Sequence, residues 1–250
     1  MKRILALAIA VMMLCVCAIS VSAAQTTLPD TEGLGWWQGH TEGIEITEEG
    51  VVVTFTSTTI PFINAANGND ETANWHGPLY VLYTGDEAKV GGAGYTEYWV
   101  TRADAYGWGM PATFGVEGDL NSDANNATAV ANMATAGITF SSTGVDGWVG
   151  WDNWIAAQKA GAEGKITAKL VGNKANVVIV INGLQTSVEL PVDTSKPTYL
   201  SLFGDSARLT NITVTTNEPA PKTGDETMLL PAAIALVLSA SALVVLKKKH

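Results

Sequence analysis

The chain has 250 residues, with 14 basic and 24 acidic side chains and a formal net charge of −10 at pH 7. Nucleic-acid binding depends on Lys and Arg that neutralise phosphates, so this acidic balance argues against a nucleic-acid partner. The two cysteines, Cys15 and Cys17, lie near the N-terminus. The rest of the chain therefore has no disulfide and no thiol chemistry.

Residues 1–23 are organised like a secretory signal peptide. Lys2 and Arg3 give a charged start, an apolar run follows, and small residues up to Ala23 supply a cleavage site. We therefore predict that the chain is exported and cut after Ala23. The alternatives are an uncleaved membrane anchor, for which the apolar run is short, and a lipoprotein signal that uses Cys17.

Short segments rich in alternating apolar residues dominate the sequence after the signal peptide and indicate β-strands. The predicted strands are 44–46, 51–57, 79–83, 96–103, 166–170, 177–181, 184–190, 199–203 and 209–214. The pair Asn182-Gly183 is a strong signal for a two-residue hairpin. Short helices are predicted at 125–136 and at 148–160.

Many short strands separated by turns predict an all-β fold, a β-sandwich with one or two short helices. We place this domain at 34–215, after an N-terminal lead at 24–33 and before a linker at 216–221. Residues 119–125 have the spacing of a calcium loop, but Ala124 and Val130 break its pattern. We expect a solvated loop, no metal site and no cofactor, with a structural calcium ion as the alternative.

Catalytic motifs are largely missing from the sequence. After the signal peptide there are two histidines before the final residue, His40 and His76, and no H-E-x-x-H, G-x-S-x-G or phosphate-binding glycine motif. We therefore predict a protein that is not an enzyme. A glycosidase needs two carboxyl groups that can be distant in sequence, so a surface glycoside hydrolase or lyase remains the alternative.

All eight tryptophans follow the signal peptide, and many of them stand beside Gly, Asn, Asp or His in loop-like sequence. Aromatic rings pack against the C–H faces of sugars, while carboxylates, amides and guanidinium groups bond the hydroxyls. Trp99 is expected in the core, and Arg102 and Asp104 have the alternative of pairing with each other. The candidate ligand-binding residues are Trp37, Trp75, His76, Arg102, Asp104, Trp108, Trp151 and Trp154.

Three segments together resemble a carbohydrate-binding domain of the jelly-roll or concanavalin-like kind, as in glucan- and starch-adherence proteins of gut bacteria. The residues that carry the resemblance are Asn74, Trp75, Arg102, Asp104, Gly107, Trp108, Gly109, Gly204, Asp205 and Asn211. The resemblance implies a non-catalytic surface protein that attaches the cell to a polysaccharide, with a glucan such as starch or β-glucan favoured. We expect a monomer. The alternatives are an adhesin for a host protein and a binder of the cell's own wall polymer.

The C-terminal residues 220–250 resemble the sorting signals that sortases read in Gram-positive bacteria. The motif at 220–224 contains Pro221, Thr223 and Gly224, an apolar span follows at 228–246, and lysines occupy 247–249. The resemblance implies cleavage between Thr223 and Gly224 and attachment of Thr223 to peptidoglycan, so sortase is a partner and the domain is extracellular and wall-anchored. Ala220 replaces the leucine of the usual motif, and a plain transmembrane tail is the alternative. Processing at both ends leaves 9 basic and 22 acidic residues, a net charge of −13.

Overall fold

Two antiparallel β-sheets face each other across a shared hydrophobic core. The structure is a computed structural model that describes residues 23–35, 37–109, 116–119 and 127–216, with the backbone alone at 106–109 and 116–119. Residues 1–22 of the predicted signal peptide, the calcium-like segment from 120 onward, the linker from 217 and the sorting signal lie outside the described residues. The described residues belong to one unit, Ala23–Asn217.

The larger sheet has eight strands in the described part of the chain. They are β1 (Ala24–Thr27), β2 (Thr31–Gly33), β4 (Val51–Thr59), β9 (Thr139–Gly144), β10 (Ala162–Val171), β11 (Lys174–Ile181), β12 (Leu184–Pro191) and β14 (Ala207–Thr216). Their order is β1-β14-β4-β10-β11-β12-β9, and β2 also pairs with β14. Every pairing is antiparallel, as expected for strands joined by hairpins and short connections.

The smaller sheet has six strands among the described residues. They are β3 (Ile44–Glu45), β5 (Gly77–Thr84), β6 (Thr96–Arg102), β7 (Tyr106–Gly109), β8 (Val116–Asp119) and β13 (Thr198–Asp205). Their order is β3-β13-β5-β6-β7-β8, again antiparallel throughout. Two helices complete the described elements, α1 (Ala127–Ala136) and α2 (Trp151–Ala160).

The core lies between the sheets and follows from strict alternation in the strands. In β4, Val53 and Phe55 are buried while Thr54 between them faces outward, as a period of two requires. They pack in the same cluster as Tyr80 and Leu82 of β5. The predicted core position of Trp99 is confirmed, because its side chain is fully buried in this cluster.

The two sheets differ in what covers their outer faces. β5 is buried along its whole length, and its other face contributes Leu79, Val81 and Tyr83 to a second cluster with Phe203. Segments that include Trp37 and residues 88–95 cover that cluster. On the larger sheet, by contrast, polar side chains of β4 and β10 remain exposed. Strands β5 and β13 of the smaller sheet are therefore buried on both faces, whereas β4 and β10 of the larger sheet are buried on one.

The predicted hairpin at Asn182-Gly183 is confirmed. Both residues have positive φ, 48° and 71°, which is the geometry of a two-residue turn that matches strand twist. A Cβ added at Gly183 would collide with the backbone of Trp148. This turn therefore needs glycine for its backbone conformation and also for the close approach of the 145–149 segment.

The N-terminal lead and the start of the second helix differ from the sequence prediction. Residues 24–33, interpreted as a lead, form β1 and β2 and pair with β14, so the sandwich starts at Ala24. Helix α2 begins at Trp151 rather than at 148, because Gly150 with φ 76° precedes it. Among the described residues, no helix is long and apolar enough to cross a membrane. The predicted span 228–246 lies outside them.

Candidate functional site

Helix α2 and the 60–76 loop lie together at one end of the sandwich. The strand registers place the end of β4, the start of β10 and the start of β5 at this end. The helix packs against β4 and β10, and it buries Trp154 and Gln158, which are four residues apart and share one helical face. The opposite helical face, with Asp152 and Asn153, is exposed to solvent.

Three tryptophan rings form a cluster at the start of α2. The ring centroids of Trp148, Trp151 and Trp154 are 5.1–5.7 Å apart, within the range of favourable aromatic pairs. Trp151 is 44% exposed, whereas Trp154 is fully buried. The prediction that Trp154 contacts ligand is therefore wrong for this structure, because its ring has no free face. Trp154 instead supports Trp151.

Trp154 also connects the helix to the 60–76 loop. Its indole nitrogen donates to the backbone oxygen of Asn74 at 3.4 Å. The next residue, Trp75, is 49% exposed, and its ring lies 5.6 Å from that of His76. Phe62 is also exposed and lies 5.0 Å from the same imidazole. We call the exposed rings of Phe62, Trp75 and Trp151 the aromatic platform.

His76 anchors the loop beneath these rings. Its side chain is buried, its Nδ1 accepts a hydrogen bond from the backbone N–H of Ala73 at 3.0 Å, and its backbone oxygen accepts one from Thr59. Burial lowers the pKa of His76, Asp205 opposes that shift, and Arg102 adds to it. The imidazole is thus neutral at pH 7 and carries its proton on Nε2.

An ion pair closes the loop onto the helix. Lys159 of α2 bonds the carboxylate of Asp70. Lys159 and the hydroxyl and backbone N–H of Thr72 lower the pKa of Asp70 to about 2. Asn64 and Asn67 both donate to Glu71 within the same loop. The loop therefore has a hydrogen-bonded internal structure and two connections to α2.

Arg102 and Asp104 pair with each other, which was the alternative left open by the sequence. The guanidinium group makes two hydrogen bonds to the carboxylate, at 3.0 and 2.8 Å. The register pairs Arg102 with Leu79 and Asp205 with Gly77, so the pair lies at the same end of the sandwich as His76. Burial raises the pKa of Asp205, and the charges of His76 and Arg102 oppose this shift.

The remaining predicted residues have other surroundings. Trp37 is half-buried on the outer face of the smaller sheet, where its ring contacts His40 at 4.8 Å and Phe203 at 5.2 Å. Trp108 lies in β7 opposite Val100, and its side chain is outside the described part of the structure. No group of three or more potential metal ligands is present among the described residues.

Sequence reasoning missed Phe62, Gln158 and the Lys159–Asp70 pair. Phe62 had a recognisable signal, because it follows strand β4 in an apolar group that leads into a polar loop. The ion pair joins residues that are 89 positions apart in sequence, and no local pattern indicates such a contact. Gln158 is fully buried, and its amide nitrogen has no hydrogen-bond partner within the described residues.

Comparisons with known proteins give little guidance. No protein-family model and no curated protein matches the chain. A solved legume lectin-like domain from Entamoeba histolytica is weakly similar, with 9% sequence identity and a TM-score of 0.32 over 79% of this chain and 90% of that one. A likeness of this strength assigns neither a fold family nor a ligand, so the concanavalin-like assignment stays a prediction.

Proposed function

We propose that the domain is a non-catalytic glycan-binding module that holds a polysaccharide on the aromatic platform. The observation that carries this proposal is the exposure of two indole rings, Trp75 and Trp151, on supports that are themselves buried. Large exposed aromatic groups on a rigid scaffold are typical of ligand contact rather than of core packing.

The surroundings of the platform suit a neutral polyhydroxylated polymer. The indole faces supply apolar surface for the C–H faces of pyranose rings. Asn74 and Asp152 are exposed and directly adjoin Trp75 and Trp151 in sequence, and their amide and carboxylate groups suit hydrogen bonds to hydroxyls. The buried Trp154 and His76 fix the rings before binding, which reduces the conformational entropy lost when ligand binds.

The cellular setting of this proposal comes from the resemblances in the sequence. The C-terminal motif favours attachment of Thr223 to peptidoglycan by a sortase, which would display the domain outside the cell as a monomer. The Asn74-Trp75 and Arg102–Gly109 segments favour a glucan such as starch or β-glucan as the ligand. The acidic charge of the processed chain agrees with a neutral polymer and disfavours nucleic acid.

Affinity electrophoresis and calorimetry against starch, β-glucan, xylan, mannan and peptidoglycan test this proposal. We expect retention by at least one dietary polysaccharide, and loss of retention when Trp75 and Trp151 are both replaced by alanine. Retention by peptidoglycan alone would favour the cell's own wall polymer as ligand. Binding to none of the five would refute the glycan-binding function and favour an adhesin for host protein.

One observation supports a surface glycosidase as a second candidate. Burial raises the pKa of Asp205, as a general acid requires, and the guanidinium group of Arg102, which also pairs with Asp104, opposes this shift. Incubation with the bound polysaccharide and an assay for reducing ends separates the two functions. Release of reducing ends that disappears in Asp205→Asn would establish the enzyme, whereas unchanged polymer supports the binding module.

A further inference from the structure

The turn at 73–76, which carries the exposed Trp75, is closed by two hydrogen bonds between its first and last residues. The backbone N–H of His76 donates to the carbonyl of Ala73 at 3.0 Å, and the backbone N–H of Ala73 donates to His76 Nδ1 at 3.0 Å. The carbonyl of His76 accepts from Thr59 of β4 at 3.1 Å, which fixes the end of the turn to the larger sheet. The position of Trp75 on the platform therefore depends on the imidazole of His76.

The hydrogen bond to Nδ1 exists only while the imidazole is neutral. A neutral imidazole has one acceptor nitrogen, whereas an imidazolium carries N–H on both nitrogens. Protonation of His76 would bring a new Nδ1–H against the N–H of Ala73, so two donors would face each other in place of a hydrogen bond. His76 is 5% exposed, so little water reaches these donors, and they gain acceptors only when the turn opens.

The surroundings of His76 in the closed turn favour the neutral imidazole. Burial is the largest influence and lowers the pKa of His76 below its usual value of 6.5. Among the described residues, Asp205 at the end of β13 opposes this shift, Arg102 at the end of β6 adds to it, and Asp70 in the loop opposes it. Arg102 is itself paired with Asp104. An opened turn would expose the imidazole to water and return its pKa toward the usual value.

The difference in pKa between the closed and the opened turn sets the direction of the pH effect. The opened turn binds a proton more readily, so acid favours it. The stability that the neutral imidazole gives the closed turn is fully present above the usual pKa of 6.5. It is lost as the pH falls through the lower pKa of His76 in the closed turn.

The other connections between the loop and α2 do not respond to pH in this range. Lys159 and Thr72 hold the pKa of Asp70 at about 2, so the ion pair between Asp70 and Lys159 stays charged. The indole of Trp154 donates to the backbone oxygen of Asn74 in a long hydrogen bond of 3.4 Å, which restrains the turn only weakly. The loop therefore stays attached to α2 while the turn at 73–76 opens.

We propose that protonation of His76 opens the turn at 73–76, takes Trp75 out of the aromatic platform and so lowers the affinity of the domain for its glycan in acid. The opening follows from the hydrogen bonds of the turn, whereas the effect on affinity rests on the proposed glycan-binding function. Full protonation should weaken binding about tenfold, the effect of losing one stacked indole ring. The platform would thus bind at neutral pH and release its ligand on acidification.

An NMR titration of the ligand-free protein from about pH 8 to about pH 4 tests the opening without any glycan. We expect the amide of Ala73 to lose its protection against hydrogen exchange and the indole signal of Trp75 to shift. Both changes should share the midpoint of the His76 imidazole, which should lie below 6.5. Asp205→Asn removes an attractive charge and should move this midpoint to lower pH. A His76 imidazole that titrates while Ala73 stays protected, or that stays neutral over the whole range, would overturn the proposal.

His76→Asn and His40→Phe are the matched variants for this titration. The side-chain oxygen of asparagine takes nearly the place of Nδ1, accepts from the N–H of Ala73 and does not titrate, so the turn should stay closed throughout. Burial also lowers the pKa of His40, but His40 packs against Trp37 and Phe203 on the outer face of the smaller sheet. His40→Phe should therefore keep the pH response of the native protein.

Calorimetry with soluble starch, β-glucan, xylan and mannan measures the effect on affinity at about pH 7.5 and about one unit below the NMR midpoint. We expect binding about fivefold weaker at the lower pH in the native protein and in His40→Phe, because about a tenth of the neutral form remains there. His76→Asn should change by less than about twofold. A pH effect that persists in His76→Asn would overturn the proposal. Binding to none of the polymers would refute the glycan-binding function, while the NMR titration still decides whether the turn opens.

Discussion

Replacing Trp75 by alanine should weaken polysaccharide binding about tenfold without unfolding the domain. An indole side chain buries about 200 Å² when fully covered, and about half of the Trp75 surface is exposed. A sugar stacked on one face then removes about 50 Å² of apolar surface from water. At about 25 cal/mol per Å² this contributes about 1.3 kcal/mol, which corresponds to about tenfold in Kd.

The matched control is Trp154→Ala in the same aromatic cluster. Trp154 is fully buried, so its truncation should lower the free energy of unfolding by about 3–5 kcal/mol. Trp75→Ala should lower it by less than about 1 kcal/mol, since half of that ring already faces water. Urea unfolding and calorimetric titration with the polysaccharide, run on both variants and on Trp151→Ala, separate stability from affinity. Unchanged affinity in both Trp75→Ala and Trp151→Ala would refute the role of the platform.

Four further predictions follow from individual residues. Lys159→Met should return the pKa of Asp70 from about 2 toward its usual value near ~4, as followed by carboxyl NMR; an unchanged pKa would contradict the ion pair. Burial raises the folded-state pKa of Asp205, so its ionised carboxylate lowers the free energy of unfolding at neutral pH. This destabilisation decreases as the pH falls and the carboxylate is protonated. Asp205→Asn should therefore raise the thermal midpoint at pH 7, and a gain that does not shrink toward pH 4 counts against this reasoning. Gly183→Ala should destabilise by about 2 kcal/mol or more, since the turn needs a positive φ and has no room for a methyl group; urea unfolding measures it, and a neutral effect would show that the turn adjusts. Thr223→Ala should abolish wall linkage in cell fractionation, and intact linkage would show that the sorting motif lies elsewhere.

The strands could be predicted because their residues obey a period of two around one core. The alternation in 51–57 matches the burial observed in β4, and the turn residues at 182–183 fix the β11–β12 hairpin. The strands β1 and β2 were missed because 24–33 is short and polar. Pairing with β14, about 180 residues later in the chain, creates them, and only the tertiary structure supplies that partner.

The sequence identified the aromatic positions, but only the structure shows which of these rings are exposed and which are buried. Trp75, Trp151 and Trp154 look alike in sequence, each beside polar or small residues. The spacing of three between Trp151 and Trp154 predicted proximity, which the structure confirms at 5.4 Å. It did not show which ring faces the core, because that depends on how α2 is rotated against β4 and on the loop that covers Trp154.

The last strand, β14, determines at which end of the sandwich the chain continues toward its C-terminus. β14 begins at Ala207, opposite the end of β4 beside the platform, and ends at Thr216, opposite the start of β4 and beside Ala24. The chain thus leaves the sandwich at the end far from the platform, about 30 Å away along ten residues of strand. On a wall-anchored protein, a ligand that pulls on the platform would act along the strand axis. The hydrogen bonds of β14 to β1 and β4 would then be loaded in shear. They would share the force together rather than open one after another, and this geometry would suit a protein that holds a cell against flow.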